Sequence, residues 1–326
     1  MQSTGAGGGS SIDMAKMLTV KVEDWTEFYQ LASWFLRDKG QWVFRGHRKA
    51  EWELKTTLER ESDKRKNKAK VKKQFDSLAE FLQSRPRSNE SEQIEVFKAL
   101  TQWDHYMGEH KLPYLAAMQH YGFPTRLLDF TCSLFVGAYF AFKNLRSRGE
   151  RAVWAIRLEP LWENAKKVFG FENDVDDYAL EKELLSLTDG LLDRSIRAST
   201  SVKHGVLPLL IGHDNPRLRA QNGLFLMPFS IDGFVANLER SLPGGLVSET
   251  SYARRGGLIA HELRLGDYLN SKNKKDVVVL KIICSKAMRK GAEGVFQQMN
   301  ITEERMFPDK SFADVKDNVK YRFWYR

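Results

Sequence analysis

Cysteine is scarce in this chain, long apolar runs are missing, and each absence removes a class of function. There are two cysteines in 326 residues. Cys132 and Cys284 cannot build a disulfide framework. Each sits in an apolar run, "FTCSLFVGAYFAF" and "VVVLKIICS", where a buried, reduced thiol is expected. Seven histidines and two separated thiols show no metal-ligand spacing, so no metal site is expected. No apolar run approaches the roughly 20 residues that cross a bilayer, so no membrane association is expected either. The N-terminus, "MQSTGAGGGSSIDMAKM", lacks a basic start followed by an apolar core and does not read as a signal peptide. A cytoplasmic location is the expectation. There is no P-loop and no G-x-S-x-G elbow. The one glycine cluster, "GAGGGS", lies in the N-terminal stretch and not between a strand and a helix.

What is present is a globular composition, 42% apolar and 29% charged, with a formal net charge of +9. Such a balance favours acidic partners: nucleic acid, nucleotide phosphates or anionic lipid. Much of the excess falls in "KRKNKAKVKK", Lys64 to Lys73. That run is either a solvated loop leading into a helix or a patch that tracks phosphates.

Residues 1–17 are Gly/Ser-rich and expected to be flexible. Residues 18–326 read as one domain, with a helical insertion near 60–110. "MLTVKV", "QWVFRG", "RAVWAIRL", "GVLPLLIG", "NGLFLMPF" and "DVVVLKIIC" read as strands. Asp24 is positioned to cap a helix carrying Trp25, Phe28, Leu31, Trp34 and Phe35 on one face. "LPYLAAMQHYG" reads as a helix with Pro113 in its first turn and Gly122 as its stop. "CSLFVGAYFAF" is apolar all round and so a buried helix. "KAMRKGAEGVFQQMN" reads as a last long helix. Strands and helices mix without βαβ alternation, which predicts an α+β fold with a mixed sheet core and packed helices.

Three stretches hold groups that packing does not call for. In "VFRGH", Arg45 ends an apolar strand and needs a carboxylate, carbonyls or a phosphate as partner. Gly46 omits the Cβ that would keep a ligand from the backbone. Asp129 is the structural alternative for Arg45. In "HYGFPTRLLDFT", Gly122 and Pro124 fix a hinge between two predicted helices, with Thr125 as cap of the second. Arg126 and Asp129, three apart, are positioned to pair along that turn. The hinge displays His120, Tyr121, Thr125 and Arg126 either as a pocket wall or as a buried hydrogen-bond network. In "RLRAQNGLF", Gln221 projects where a loop becomes a strand and can orient a hydroxyl or a water.

"FRGH", "QHYGFPTRLLDFT", "AQNGLF" and "MFPD" resemble, in order and spacing, the motifs of the FRG domain, over Leu18 to about residue 315. His47 and Phe130 stand where that family more usually has glutamine and tryptophan. A further similarity is to ADP-ribosyltransferase-like folds. It implies NAD as a substrate, with Arg45, Gly46, His120, Thr125 and Arg126 on the ligand, and modification of a nucleic acid or protein target. A bacterial toxin or phage-defence setting goes with it, along with an antitoxin or regulatory partner. Arg45 resembles the NAD-holding element of those folds, and Tyr121 or Thr125 the element beneath the nicotinamide. The expected glutamate is replaced by Gln221, so a substitute carboxylate is needed, with Asp129 ahead of Glu249 and Glu262. A carboxylate spent on Arg45 or Arg126 would favour binding without turnover, and a non-catalytic RNA- or DNA-binding module is the alternative reading.

Overall fold

A computed structural model describes residues 15–61, 90–101, 108–120, 122–143, 149–170, 177–194, 204–209, 215–230, 232–242, 246–248, 263–271 and 276–308. The Lys64–Lys73 run, most of the insertion expected near 60–110, Tyr121, Glu249 and Glu262 lie outside the described residues.

The strands are β1 (Ala15–Val22), β2 (Trp42–His47), β3 (Leu128–Thr131), β4 (Arg151–Arg157), β5 (Val206–Leu209), β6 (Gly223–Pro228), β7 (Leu246–Ser248), β8 (Leu263–Arg264) and β9 (Val277–Cys284). The helices are α1 (Trp25–Arg37), α2 (Glu90–Thr101), α3 (Lys111–His120), α4 (Leu134–Phe142), α5 (Glu159–Phe169) and α6 (Asp177–Arg194). The shorter ones are α7 (Pro216–Ala220), α8 (Phe234–Ser241), α9 (Leu265–Asn270), α10 (Ala292–Gln298) and α11 (Glu303–Met306). The strands form one sheet in the order β5-β6-β3-β2-β4-β9-β1-β7, with β8 also on β1. Pairing is antiparallel from β5 to β9 and parallel around β1, so the sheet is mixed and the fold α+β.

Strands buried on both faces must be apolar on both, which is why they are continuous apolar runs in sequence. Along β2, Trp42 and Phe44 enter one core with α1 and α4, while Val43 enters the opposite one. β4 divides alike: Val153 and Ala155 to the first core, Trp154 and Ile156 to the second. A third core lies where α2, α3 and α6 meet Phe225 and Met227 of β6.

Local chemistry sets the element ends. Asp24 accepts from the Glu27 amide and opens α1. Ser133 accepts from the Val136 amide and opens α4. Gly122, with φ of 82°, follows α3 in the left-handed conformation that suits glycine.

Three expectations are corrected. "LLDFT" is strand β3, not a helix, because β6 and β2 flank it with hydrogen-bonding edges; Thr125 therefore caps no helix. "KAMRKGAEGVFQQMN" is broken into a 3-10 turn, Lys286–Arg289, and the short α10, because Gly291 takes φ of 89° between them. Cys284 is buried as expected, whereas Cys132 is exposed at the turn into α4.

Candidate functional site

β2 and β3 share only the Phe44–Thr131 pair, then diverge. A cavity of about 780 Å³ opens there and runs on toward α3, α7 and the segment after α11. Arg45, Gly46, His120, Asp129 and Gln221, which come from three separate stretches of sequence, all line it. Arg60, Gln119, Trp52, Arg217 and Phe307 line it as well; Gln119, Arg217 and Phe307 fall in the quoted motifs, but the sequence assigns none of the five a place at the site.

Arg45 has a side chain 17% exposed, and its Nη1 donates to the Asp129 carbonyl oxygen at 2.6 Å. The same Nη1 lies 3.5 Å from Asp129 Oδ2. Its Nε is buried with no hydrogen-bond partner among the described residues. Burial disfavours the charged guanidinium and lowers its pKa, with Asp129 opposing that shift. Arg60 is lowered for the same reason and feels the same carboxylate; its Nη1 is tied to the Lys55 carbonyl oxygen at 2.7 Å. Two desolvated cations thus face one cavity with Asp129 between their fields.

Asp129 is half-exposed, its side chain 51% accessible. Oδ2 takes the Arg45 contact and a hydrogen bond from Gln119 Nε2 at 3.0 Å. Oδ1 makes no hydrogen bond or ion pair among the described residues. One carboxylate oxygen is held and the other is left able to accept from another group.

Gln119 is held at both ends of its amide. Thr125, fully buried, donates its hydroxyl to Gln119 Oε1 at 2.5 Å, and Thr57 donates to the same oxygen at 3.2 Å. The other end of the amide faces Asp129 Oδ2 at 3.0 Å and the Leu127 carbonyl oxygen at 3.4 Å, which can only accept, so that end is the NH2. Thr125 therefore belongs to the supporting network, and does not line the cavity as the sequence suggested.

Arg126 is a second correction. It is 2% exposed and its Nε pairs with the buried Glu90 at 2.5 Å, while the Glu90 Oε1 accepts from its amide. It ties α2 to the hinge, so neither an anion contact nor a pair with Asp129 is open to it. A guanidinium buried this deeply requires such a carboxylate.

Gly46 has a different use from the one read in sequence. A Cβ there would collide with the Gly137 carbonyl oxygen and stand 2.5 Å from the Ala141 amide nitrogen. The missing side chain makes room for α4 to cross β2 and thereby positions Arg45 next to it.

His47, one strand position further, is 5% exposed and has Trp154 Nε1–H facing its Nδ1 at 3.2 Å. The same Nδ1 lies 3.3 Å from the Trp52 carbonyl oxygen, so it faces one group that can only donate and one that can only accept, and the tautomer decides which bond forms. Burial, reinforced by Arg45, pushes its pKa down to about 3.

Gln221 ends α7, and its Nε2 donates to the Met306 carbonyl oxygen at 2.9 Å. Its backbone carbonyl accepts the Thr131 hydroxyl at 2.7 Å, so it stitches α11 to β3 across the cavity rim. Oε1 remains as the end of the side chain able to accept from another group.

Around these residues the described lining carries the cations Arg45, Arg48, Lys55, Arg60 and Arg217 against the anions Glu51, Glu53 and Asp129. No cluster of three or more metal-ligating side chains occurs among the described residues. No helix among them is long and apolar enough to cross a membrane.

Residues 40–150 match the FRG domain. The match takes in "FRGH" and "HYGFPTRLLDFT", and leaves "AQNGLF" and "MFPD" outside it. No curated protein and no solved structure matches the chain.

Proposed function

We propose that this chain, which carries an FRG domain at residues 40–150, binds NAD in the cleft at Arg45 and transfers its ADP-ribosyl group to a macromolecule. The observation that carries the reading is the meeting of Arg45, Arg60 and the half-exposed Asp129 in one cavity. A cavity of about 780 Å³ lies within the range of roughly 300–1,000 Å³ usual for small-ligand sites. Arginine suits a diphosphate because its planar fork matches phosphate oxygens two at a time.

In the reaction, an acceptor O–H or N–H attacks the anomeric carbon of the nicotinamide ribose. The carbon–nitrogen bond breaks, nicotinamide leaves with the bonding pair, and the acceptor's proton passes to a base. The transition state carries oxocarbenium charge, which a carboxylate beside it stabilises. Asp129 is the group assigned to that role, in place of the glutamate that gives way to Gln221. His120 lies on the ligand-facing wall, and Gln221 Oε1 accepts from a ribose hydroxyl. Arg45 and Arg60 hold the diphosphate. A toxin or phage-defence setting, with an antitoxin or regulatory partner, comes from the family resemblance alone and is part of the same proposal.

The test is to incubate the purified chain with NAD, alone and with RNA, DNA or lysate protein, and follow free nicotinamide. Release that disappears in Asp129→Asn supports the reading. No release under any of these conditions, from folded protein, contradicts it.

A second reading is favoured by one observation. The 3.5 Å contact of Asp129 with Arg45 partly neutralises the carboxylate, which suits binding without turnover. The cationic lining would then hold RNA or DNA, and affinity would fall steeply with salt as counterions are released.

A further inference from the structure

We infer that Glu59 is a positioning residue of the cleft, which aims Arg60 at the ligand by gripping the peptide unit between Lys55 and Thr56. This rests on the reading of the Arg45 cleft as a diphosphate site, and adds to it a residue that does not itself line the cavity.

The stretch "TTLE", Thr56 to Glu59, carries the S/T-x-x-E pattern of a capping box at the start of the helical turn at 57–61. Both halves of the box form. The Glu59 amide donates to Thr56 Oγ1 at 3.2 Å, and the Thr56 amide donates to Glu59 Oε2 at 2.7 Å. Arg60 comes next, and its amide donates to the Thr56 carbonyl oxygen at 3.1 Å. The Thr56 N–H belongs to the same peptide unit as the Lys55 carbonyl, and that carbonyl accepts from Arg60 Nη1 at 2.7 Å. A peptide unit is planar, with its N–H and C=O pointing opposite ways. Holding the N–H therefore fixes where the carbonyl points, and the guanidinium with it. A charged acceptor on the N–H also polarises the carbonyl into a better acceptor.

A capping box alone would explain Thr56 and Glu59 as local structure, but the second carboxylate oxygen is used as well. Oε1 accepts at 3.2 Å from the amide of Phe234, the first residue of α8 and 175 positions away. A Cβ on Gly233, just before it, would stand 2.7 Å from Oε1, so the missing side chain leaves room for the carboxylate to reach α8. The same turn is fastened to the hinge. The Leu58 amide donates to the Thr125 carbonyl oxygen at 3.1 Å, and Thr57 Oγ1 accepts from the Thr125 amide at 3.1 Å. The backbone that carries Arg60 is thus held from α8 and from the hinge, while the guanidinium lines the cavity.

Both groups that face the carboxylate are N–H donors, so both of its oxygens must accept. A carboxamide offers one acceptor and sets its NH2 against the other N–H. Glu59→Gln therefore keeps the volume and breaks the grip. Its effect through charge has the opposite sign, because removing a negative charge beside a phosphate site favours an anionic ligand. Weaker binding by this variant reports lost positioning.

The experiment is calorimetric titration of the full chain with ADP-ribose at one fixed salt concentration, with thermal denaturation to check that each variant is folded. Arg60→Ala is expected to bind about tenfold or more weakly than wild type, as befits a charge-assisted contact. Glu59→Gln should bind about threefold or more weakly. That loss should vanish in the Arg60→Ala background and persist in the Arg45→Ala background, because Glu59 acts through Arg60. Should Glu59→Gln not fold, Gly233→Ala takes its place, since its Cβ pushes the carboxylate off α8 from the other side, and the same results are expected. Unchanged or tighter binding, or a loss equal in both backgrounds, overturns the positioning role and leaves the cleft standing. So does failure of both variants to fold, because Glu59 is then a structural residue. A wild-type chain that does not bind ADP-ribose, or an Arg60→Ala variant that binds it equally well, overturns the diphosphate reading and the positioning role with it.

Discussion

Gln119 Nε2 donates to Asp129 Oδ2 at 3.0 Å, and the buried Thr125 hydroxyl holds the other end of the amide. The carboxylate is thus aimed by a side chain ten residues before it, across the Gly122–Pro124 hinge. If Asp129 stabilises an oxocarbenium ion, losing its charge costs about 100- to 1,000-fold in rate. Asp129→Asn is therefore expected to lower kcat for nicotinamide release by that range while NAD still binds. Gln119→Leu should lower kcat less, with KM within about twofold, since the carboxylate remains but swings. Steady-state kinetics of both variants separate the roles.

Gly46 predicts a stability effect and no direct chemical one. Because the atoms in the way of a Cβ are helix backbone, they cannot swing aside. Gly46→Ala is expected to destabilise the fold at the upper end of the roughly 1–3 kcal/mol usual for overpacking, or beyond it. Urea denaturation measures this; an unchanged midpoint would show that α4 and β2 do not meet so closely.

The Glu90–Arg126 pair predicts non-additivity. Removing one partner leaves an uncompensated buried charge, so Arg126→Met or Glu90→Leu alone should cost about 3–5 kcal/mol. The double variant should recover most of that loss, because two apolar side chains then fill the same space. A double-mutant cycle by urea denaturation reads the coupling directly.

His47 predicts an acid limb. Its folded pKa, about 3, lies below the ordinary 6.5, so the unfolded chain takes up a proton that the folded chain refuses. Its stabilising contribution is complete above pH 6.5 and is lost as pH falls toward 3. The slope through that window is about 1.4 kcal/mol per pH unit for one proton. His47→Gln should flatten it by that amount, as measured by denaturation midpoints at several pH values.

The strands and the buried α4 were legible because each is a run of apolar residues long enough to fix its own type. "LLDFT" was not: a short run with Arg126 and Asp129 three apart fits a helical turn as well as a strand, and the pairing with β6 that decides the matter is about 95 residues away in sequence. Arg45, His120, Asp129 and Gln221 were found because a charged or amide group interrupts an apolar pattern at each place. Arg126 interrupts it in the same way for a structural reason, and its partner Glu90 lies 36 residues off, beyond any local pattern. Arg60 stands just before a longer basic run, and no local pattern sets it apart from those charges.

The most direct measurement is the affinity of ADP-ribose for wild type and for Arg45→Ala, by calorimetry at one fixed salt concentration. Charge-assisted bonds from Arg45 are worth about 1.5–3 kcal/mol, so the variant should bind at least about tenfold more weakly while remaining folded. Equal affinity in a folded variant would contradict the account, because the cleft could not then be a phosphate site built on Arg45.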